Sequence, residues 1–137
     1  MSKKACVLCD IDGTIADKGD RDPFHWHLVG EDKPIAVIIN LLRILAPHYE
    51  IILISGRSDE SMAMTRVWLT EHEIPYHAIF MRKEGDYRKD AIVKQELYEK
   101  RIAPLYDVQF VLEDRNQVVE MWRSLGLTCL QVAPGDF

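Results

Sequence analysis

An α/β fold with a parallel sheet covered on both faces is what this chain predicts, and three observations predict it. Strand-like and helix-like segments alternate five times, the strand-like segments are continuous apolar runs, and polar residues gather where those runs end. Open sheets of this kind place ligands at the carboxyl ends of their strands, so Asp10, Ser55 and Asp114 can converge although they are far apart in sequence. With 137 residues and 47% hydrophobic content, the chain can build one core but not two ordinary ones, which predicts a single domain over 1–137.

Each element follows from its own residues. The apolar run Cys6-Val7-Leu8-Cys9 is the first strand, and it stops abruptly at Asp10-Ile11-Asp12-Gly13-Thr14. The polar, turn-rich stretch 15–33, with Pro23-Phe24-His25-Trp26-His27 in its middle, reads as a loop or small flap over the site. Ile35 to Leu45 is apolar all round and ends before Pro47, as a helix packed on a sheet should. Ile51-Ile52-Leu53-Ile54 is the second strand, ending in Ser55-Gly56-Arg57, and Ser58, Asp59 and Glu60 place a cap and negative charge at the start of a helix running to about His72. His77 to Met81 is the third strand, Lys89 to Arg101 a helix, and Val108 to Leu112 the fourth strand, ending in Glu113-Asp114-Arg115. Gln117 to Leu125 is an amphipathic helix with Val118, Val119, Trp122 and Leu125 on one face and Gly126 as its stop; Thr128 to Val132 is the last strand.

Composition narrows the function classes. The longest apolar candidate for a membrane span, Ile35 to Ala46, is interrupted by Asn40 and Arg43, and the amino terminus has no signal-peptide core, so a cytoplasmic location is expected. Three cysteines cannot form an even disulfide set, and Cys6 and Cys9 fall on opposite faces of a strand, which makes them core residues rather than a redox or metal pair. The net charge of -5 argues against nonspecific wrapping of nucleic acid but leaves room for a local anion site. His25, His27, His48, His72 and His77 are too scattered for a zinc site. Phe24 and Trp26 suit either stacking on a terminal base or a small packing cluster.

The chemistry begins with Asp10 and Asp12, which point to the same side of the chain as it leaves the sheet. Two carboxylates crowded together need a cation between them or a proton on one of them. A calcium loop of the EF-hand kind is a poor match, because its glycine, further oxygen ligands and terminal glutamate are missing. The string Asp-Ile-Asp-Gly-Thr after an apolar strand resembles the first motif of the haloacid dehalogenase (HAD) superfamily of aspartate-nucleophile phosphohydrolases. Ser55, Lys89, and Glu113 with Asp114 follow in the order of that superfamily's remaining motifs. The stretches Gly85-Asp86-Tyr87-Arg88-Lys89-Asp90 with Val93-Lys94, Glu113-Asp114-Arg115 with Gln117 to Arg123, and Gln131-Val132-Ala133 with Gly135-Asp136-Phe137 are similar to the 3'-phosphatase half of the bacteriophage polynucleotide kinase-phosphatase family.

That resemblance implies an HAD-like Rossmannoid three-layer sandwich with a five-stranded parallel sheet in the order 3-2-1-4-5 and no large cap domain. It implies Asp10 as nucleophile, Asp12 as acid-base residue, and Ser55 and Lys89 as holders of the phosphoryl group. Thr14, Arg21, Arg57, Asp86 and Arg88 become substrate-binding candidates, Arg because its planar fork can engage phosphate in two places. Mg2+ is the implied cofactor, bridging the Asp10 and Asp114 carboxylates and the Asp12 backbone carbonyl, with Glu113 behind them in place of the more usual aspartate. The implied activity is removal of a 3'-phosphate from DNA or RNA ends, with a separate kinase or ligase as partner. A phosphate-binding loop of the Gly-x-x-x-x-Gly-Lys-[Ser/Thr] type is absent, so the family's kinase half is not here, and the chain is expected to be a stand-alone phosphatase or an excised domain. The alternatives are a phosphatase for a small nucleotide or sugar phosphate and a noncatalytic end-binding module.

Overall fold

Consecutive residues of the first strand enter two different apolar clusters. Val7 and Cys9 join Ile51, Leu53 and Trp68 on one face, while Cys6 and Leu8 join Ile52, Ile54 and Trp122 on the other. A strand buried on both faces must sit in the middle of a covered sheet. The computed structural model describes residues 2–19, 21–22 and 26–137, without the side chains of Trp26 and His27. The expectations for Phe24, Trp26, His25 and His27 therefore lie outside the described residues.

In chain order the elements are β1 (Lys4–Cys9), β2 (Ala16–Asp17), a 3-10 turn (Trp26–Glu31), β3 (Lys33–Pro34), α1 (Ala36–Leu45), β4 (Glu50–Ser58), a 3-10 turn (Asp59–Ser61), α2 (Met62–Glu71), β5 (Ala78–Arg82), α3 (Asp90–Leu97) continued by a π turn (Tyr98–Ile102), β6 (Tyr106–Glu113), α4 (Asn116–Ser124) and β7 (Cys129–Gln131). The main sheet runs β5-β4-β1-β6-β7 with every neighbour parallel, which is the expected order 3-2-1-4-5. Ile39 and Leu42 of α1 and Trp68 and Leu69 of α2 cover one face. Val118, Val119 and Trp122 of α4, with Ala91 and Leu97 of α3, cover the other. The result is the three-layer α/β sandwich, held by two cores that share the sheet. Trp68 and Trp122 are both fully buried, one in each core, and truncating such a residue to Ala typically costs about 3–5 kcal/mol.

The stretch expected as a loop is more ordered than that reading. β2 and β3 pair antiparallel, Ala16 with Pro34 and Asp17 with Lys33, and so tie the two ends of the insert together beside the site. Among the described residues no second layer forms a cap. Strand β4 also runs three residues beyond Ser55, with a register slip against β5 between Ser55 and Ser58. All three cysteines are buried thiols, as expected of core residues. No helix among the described residues is long and apolar enough to cross a membrane.

Candidate active site

The site forms where β1, β4 and β6 end. The backbone N–H of Asp10 donates to Leu112 on β6 at 3.0 Å, so the chain leaves the sheet still tied to its neighbour. It then turns tightly over Ile11, whose carbonyl accepts from Thr14, Ile15 and Ala16, with Gly13 at φ 81°. Gly13 is required twice over: its φ is left-handed, and a Cβ there would fall 2.0 Å from the Asp114 carboxylate. This turn brings three side chains onto one spot. The Asp10 carboxylate receives Lys94 Nζ on one oxygen at 2.8 Å and Thr14 Oγ1 on the other at 3.1 Å.

Lys94 is the residue the sequence reading missed. The order of motifs points to Lys89, but Lys89 is exposed and caps α3 through its backbone, accepting from Ile92 and Val93. One turn further on, Lys94 is 1% exposed and reaches Asp10 at 2.8 Å, Glu113 at 2.9 Å and Asp90 at 3.5 Å. Burial disfavours its charge, yet the three carboxylates overcome this and hold it well above the ordinary lysine range. Asp90, likewise unassigned from the sequence, lies under the Ser55-Gly56-Arg57 turn: a Cβ on Gly56 would fall 2.0 Å from its carboxylate.

The carboxylates are crowded. Burial first, then the Glu113 charge, pushes Asp10 up to about 8, and burial together with Asp10 pushes Asp114 up to about 7. Asp10, Glu113 and Asp114 can present carboxylate oxygens within 4.8 Å of one another, all three residues being buried. Glu113 is already engaged on both oxygens, by Lys94 on one and by the Asp114 and Arg115 backbone N–H groups on the other. Asp10 accepts one donor on each oxygen, against three on Glu113, and Asp114 accepts Thr14 Oγ1 at 3.5 Å, which leaves Asp10 and Asp114 more capacity for a cation. An all-oxygen donor set fits a hard divalent ion such as Mg2+. The Asp12 carboxylate lies outside this cluster, with both its oxygens held by Arg57.

Asp12 instead meets two arginines. Arg57 Nε and Nη2 fork onto its two oxygens at 3.0 and 2.8 Å, and Arg21 Nη2 stands 3.6 Å away. Arg57 sits inside the register slip, where β4 advances from Ser55 to Ser58 while β5 advances from Met81 to Arg82, an irregularity that can re-aim a side chain. Ser55, 1% exposed, accepts the Arg57 backbone N–H at 3.0 Å and so shapes the same turn. Beneath both arginines lies Asp32, a buried carboxylate that no motif announced. Asp86 and Arg88 belong elsewhere: Arg88 forks onto Asp86 and reaches Glu96 at the surface, beside a groove of about 350 Å³ that Lys83 and Arg101 also line. The structure gives them no side-chain bond to Asp10, Asp12 or Lys94 and places them beside this groove.

Comparison with known proteins agrees with this architecture. The family model for the polynucleotide kinase PNKP phosphatase domain matches residues 4–137. A protein of Autographa californica nuclear polyhedrosis virus, described as a bifunctional polynucleotide kinase/RNA ligase, is 34% identical over 123 residues, covering 87% of this chain and 18% of its own length. A chain in the structure of the Pnkp1/Rnl/Hen1 complex superposes with a TM-score of 0.96 at 40% identity, over 99% of this chain and 48% of that one. A second structure of the Pnkp1/Rnl/Hen1 RNA repair complex gives 0.96 at 39% identity, over 98% of this chain and 44% of that one. A haloacid dehalogenase-like hydrolase from Streptococcus pneumoniae, at 14% identity and a TM-score of 0.61, covers 94% of this chain and 84% of its own and shares the fold. The chain thus spans about half or less of the polynucleotide kinase relatives and repair-complex chains that it matches. With its sheet order, its strand-end carboxylates and a match across nearly its whole length, the chain belongs to the polynucleotide kinase PNKP phosphatase-domain family of HAD-like hydrolases.

Proposed function

We propose that the chain is a Mg2+-dependent polynucleotide 3'-phosphatase that works through an aspartyl-phosphate intermediate and leaves a 3'-hydroxyl on a DNA or RNA end. The observation that carries this reading is Asp10: a 4% exposed carboxylate at the end of the central strand, held on one oxygen by Lys94 and on the other by Thr14. A carboxylate fixed in this way can attack phosphorus in line, forming a P–O bond as the ester oxygen of the sugar leaves. Asp12, a little over a third exposed and two residues on, is placed to give that leaving oxygen a proton and then to take one from the water that cleaves the acyl phosphate. Ser55 and Lys94 would hold the phosphoryl oxygens through both displacements. Mg2+ held by Asp10, Asp114 and the Asp12 backbone would neutralise the crowded carboxylates and the dianionic phosphate.

The nucleic-acid end as substrate is supported by family membership and by the insert of about twenty residues after Thr14, too short for a full cap domain. A separate kinase or ligase partner is supported by the relatives, whose names join a polynucleotide kinase to an RNA ligase or place the matching chain in an RNA repair complex. Three unpaired thiols suit a cytoplasmic setting. The test compares phosphate release from a 3'-phosphorylated DNA or RNA oligonucleotide, the matching 3'-mononucleotide and a 5'-phosphorylated oligonucleotide, each with and without Mg2+. Preference for the first, dependent on the metal, is expected. Equal or faster release from the mononucleotide would favour a small-molecule phosphatase.

A further inference from the structure

Asp32 lies at the foot of the flap, between the 3-10 turn and β3, with its side chain 1% exposed. Its carboxylate accepts Arg21 Nε at 2.8 Å, Arg21 Nη2 at 3.0 Å and Arg57 Nη2 at 2.8 Å. Its backbone is anchored as firmly, since the carbonyl accepts the Trp68 indole N–H at 2.8 Å and the N–H donates to Val29 at 3.2 Å. One buried carboxylate therefore joins two guanidiniums from distant parts of the chain, one on the flap and one on the β4 turn.

We infer that Asp32 is a positioning residue that makes Arg21 and Arg57 a single clamp around Asp12, an inference that rests on the proposed phosphatase reading. Two guanidiniums brought to one carboxylate repel each other, and a counter-charge between them is what allows both to stay. Arg57 is largely consumed in this arrangement: it donates to both Asp12 oxygens, to Asp32, and through Nη1 to Thr65 at 3.0 Å. Arg21 is bonded to Asp32 along one edge, stands 3.6 Å from Asp12 and donates through Nη1 to the Asp22 carbonyl at 3.5 Å, so the second Nη1 N–H is what it keeps for an incoming anion. Arg57 thus orients Asp12, Arg21 meets the nucleic-acid end, and Asp32 keeps the two in register.

The test is a double-mutant cycle on Asp32→Asn and Arg21→Ala, read on a 3'-phosphorylated oligonucleotide and on para-nitrophenyl phosphate. Asp32→Asn preserves shape and removes the charge that holds the clamp. We expect kcat/KM on the oligonucleotide to fall about 10- to 100-fold, more than on the aryl phosphate, with the double variant no slower than the slower single one. Asp32→Glu should recover part of the loss. A purely structural Asp32 would lower the melting temperature and slow both substrates equally, and the two losses would add. Additive losses, or wild-type kinetics for Asp32→Asn, would overturn the inference. If Asp32→Asn does not fold, Arg21→Lys, which keeps the charge but cannot fork onto Asp32, should show the same selective loss on the oligonucleotide, and unchanged kinetics there would overturn it. If wild-type protein hydrolyses the aryl phosphate but no oligonucleotide, the proposed substrate falls, and the cycle on the aryl phosphate still decides whether Asp32 and Arg21 act together.

Discussion

Replacing Lys94 by Met separates the site seen in the structure from the one read off the motifs. Lys94 is 1% exposed and its ammonium lies 2.8 Å from Asp10 and 2.9 Å from Glu113, both nearly as buried. Removing one partner of a buried ionic group costs about 3–5 kcal/mol, because the carboxylates left behind are neither solvated nor paired. The lower end applies here: Asp10 is already pushed up to about 8, so at neutral pH it can take a proton and relieve part of the penalty. For a chain of 137 residues, about 3 kcal/mol corresponds to a fall in Tm of roughly 10–15 °C. Turnover should fall further than stability suggests, about 10²- to 10³-fold at a temperature where the variant is folded, since in the proposed reaction the same ammonium would hold the Asp10 nucleophile and the phosphoryl group. Calorimetry and initial rates on a 3'-phosphorylated oligonucleotide provide both numbers. Lys89→Met is the control: that side chain is exposed, and its loss should stay within about 0.5 kcal/mol with an unchanged rate. A Lys89 variant that loses activity while the Lys94 variant keeps it would refute the placement of α3 and every role derived from it.

Asp10→Asn should abolish turnover, because an amide is a poor nucleophile for phosphorus, while Tm holds or rises as one repelling carboxylate is removed; turnover above a few per cent of wild type in a clean preparation would remove Asp10 from that role. Asp12→Asn should cost about 10²-fold or more on an alkyl phosphate and less on an aryl phosphate, whose leaving oxygen needs little protonation; equal losses would count against the acid role. Asp10 and Asp114 are raised from 3.8 to about 8 and about 7, burial being the main cause, so in metal-free protein their neutral forms favour the fold: that stability is complete below about pH 4 and is lost as pH rises through 7 to 8. The Tm of metal-free protein should therefore fall from pH 5 to pH 8 while the stabilisation by Mg2+ grows, and a pH-independent Mg2+ effect would disconnect the ion from these carboxylates. Gly13→Ala should destabilise by about 1–3 kcal/mol and weaken Mg2+ binding in a thermal titration, because the added methyl meets Asp114 at a left-handed backbone position.

What was legible in the sequence, and what was not, divides along physical lines. Apolar runs report burial on both faces of a sheet, and the carboxyl-end rule for parallel sheets then places Asp10, Ser55 and Asp114 together without any knowledge of contacts. Helices carry no such rule for their polar residues, so the order of motifs points to Lys89, the cap, and not to the helix face. A signal did exist. Ala91, Leu97 and Tyr98, at positions i-3, i+3 and i+4 from Lys94, all pack against the core, which makes Lys94 a charged residue on the apolar stripe of α3. Such a lysine cannot be tolerated unless carboxylates face it across the packing, and the strand ends had already supplied them in Asp10 and Glu113. Asp32 offered no equivalent clue, because its partners Arg21 and Arg57 come from a flap and a strand slip, and neither has a periodicity that projects a contact. Strand ends announce themselves through burial, whereas the groups that orient them are found by asking what each buried charge must be facing.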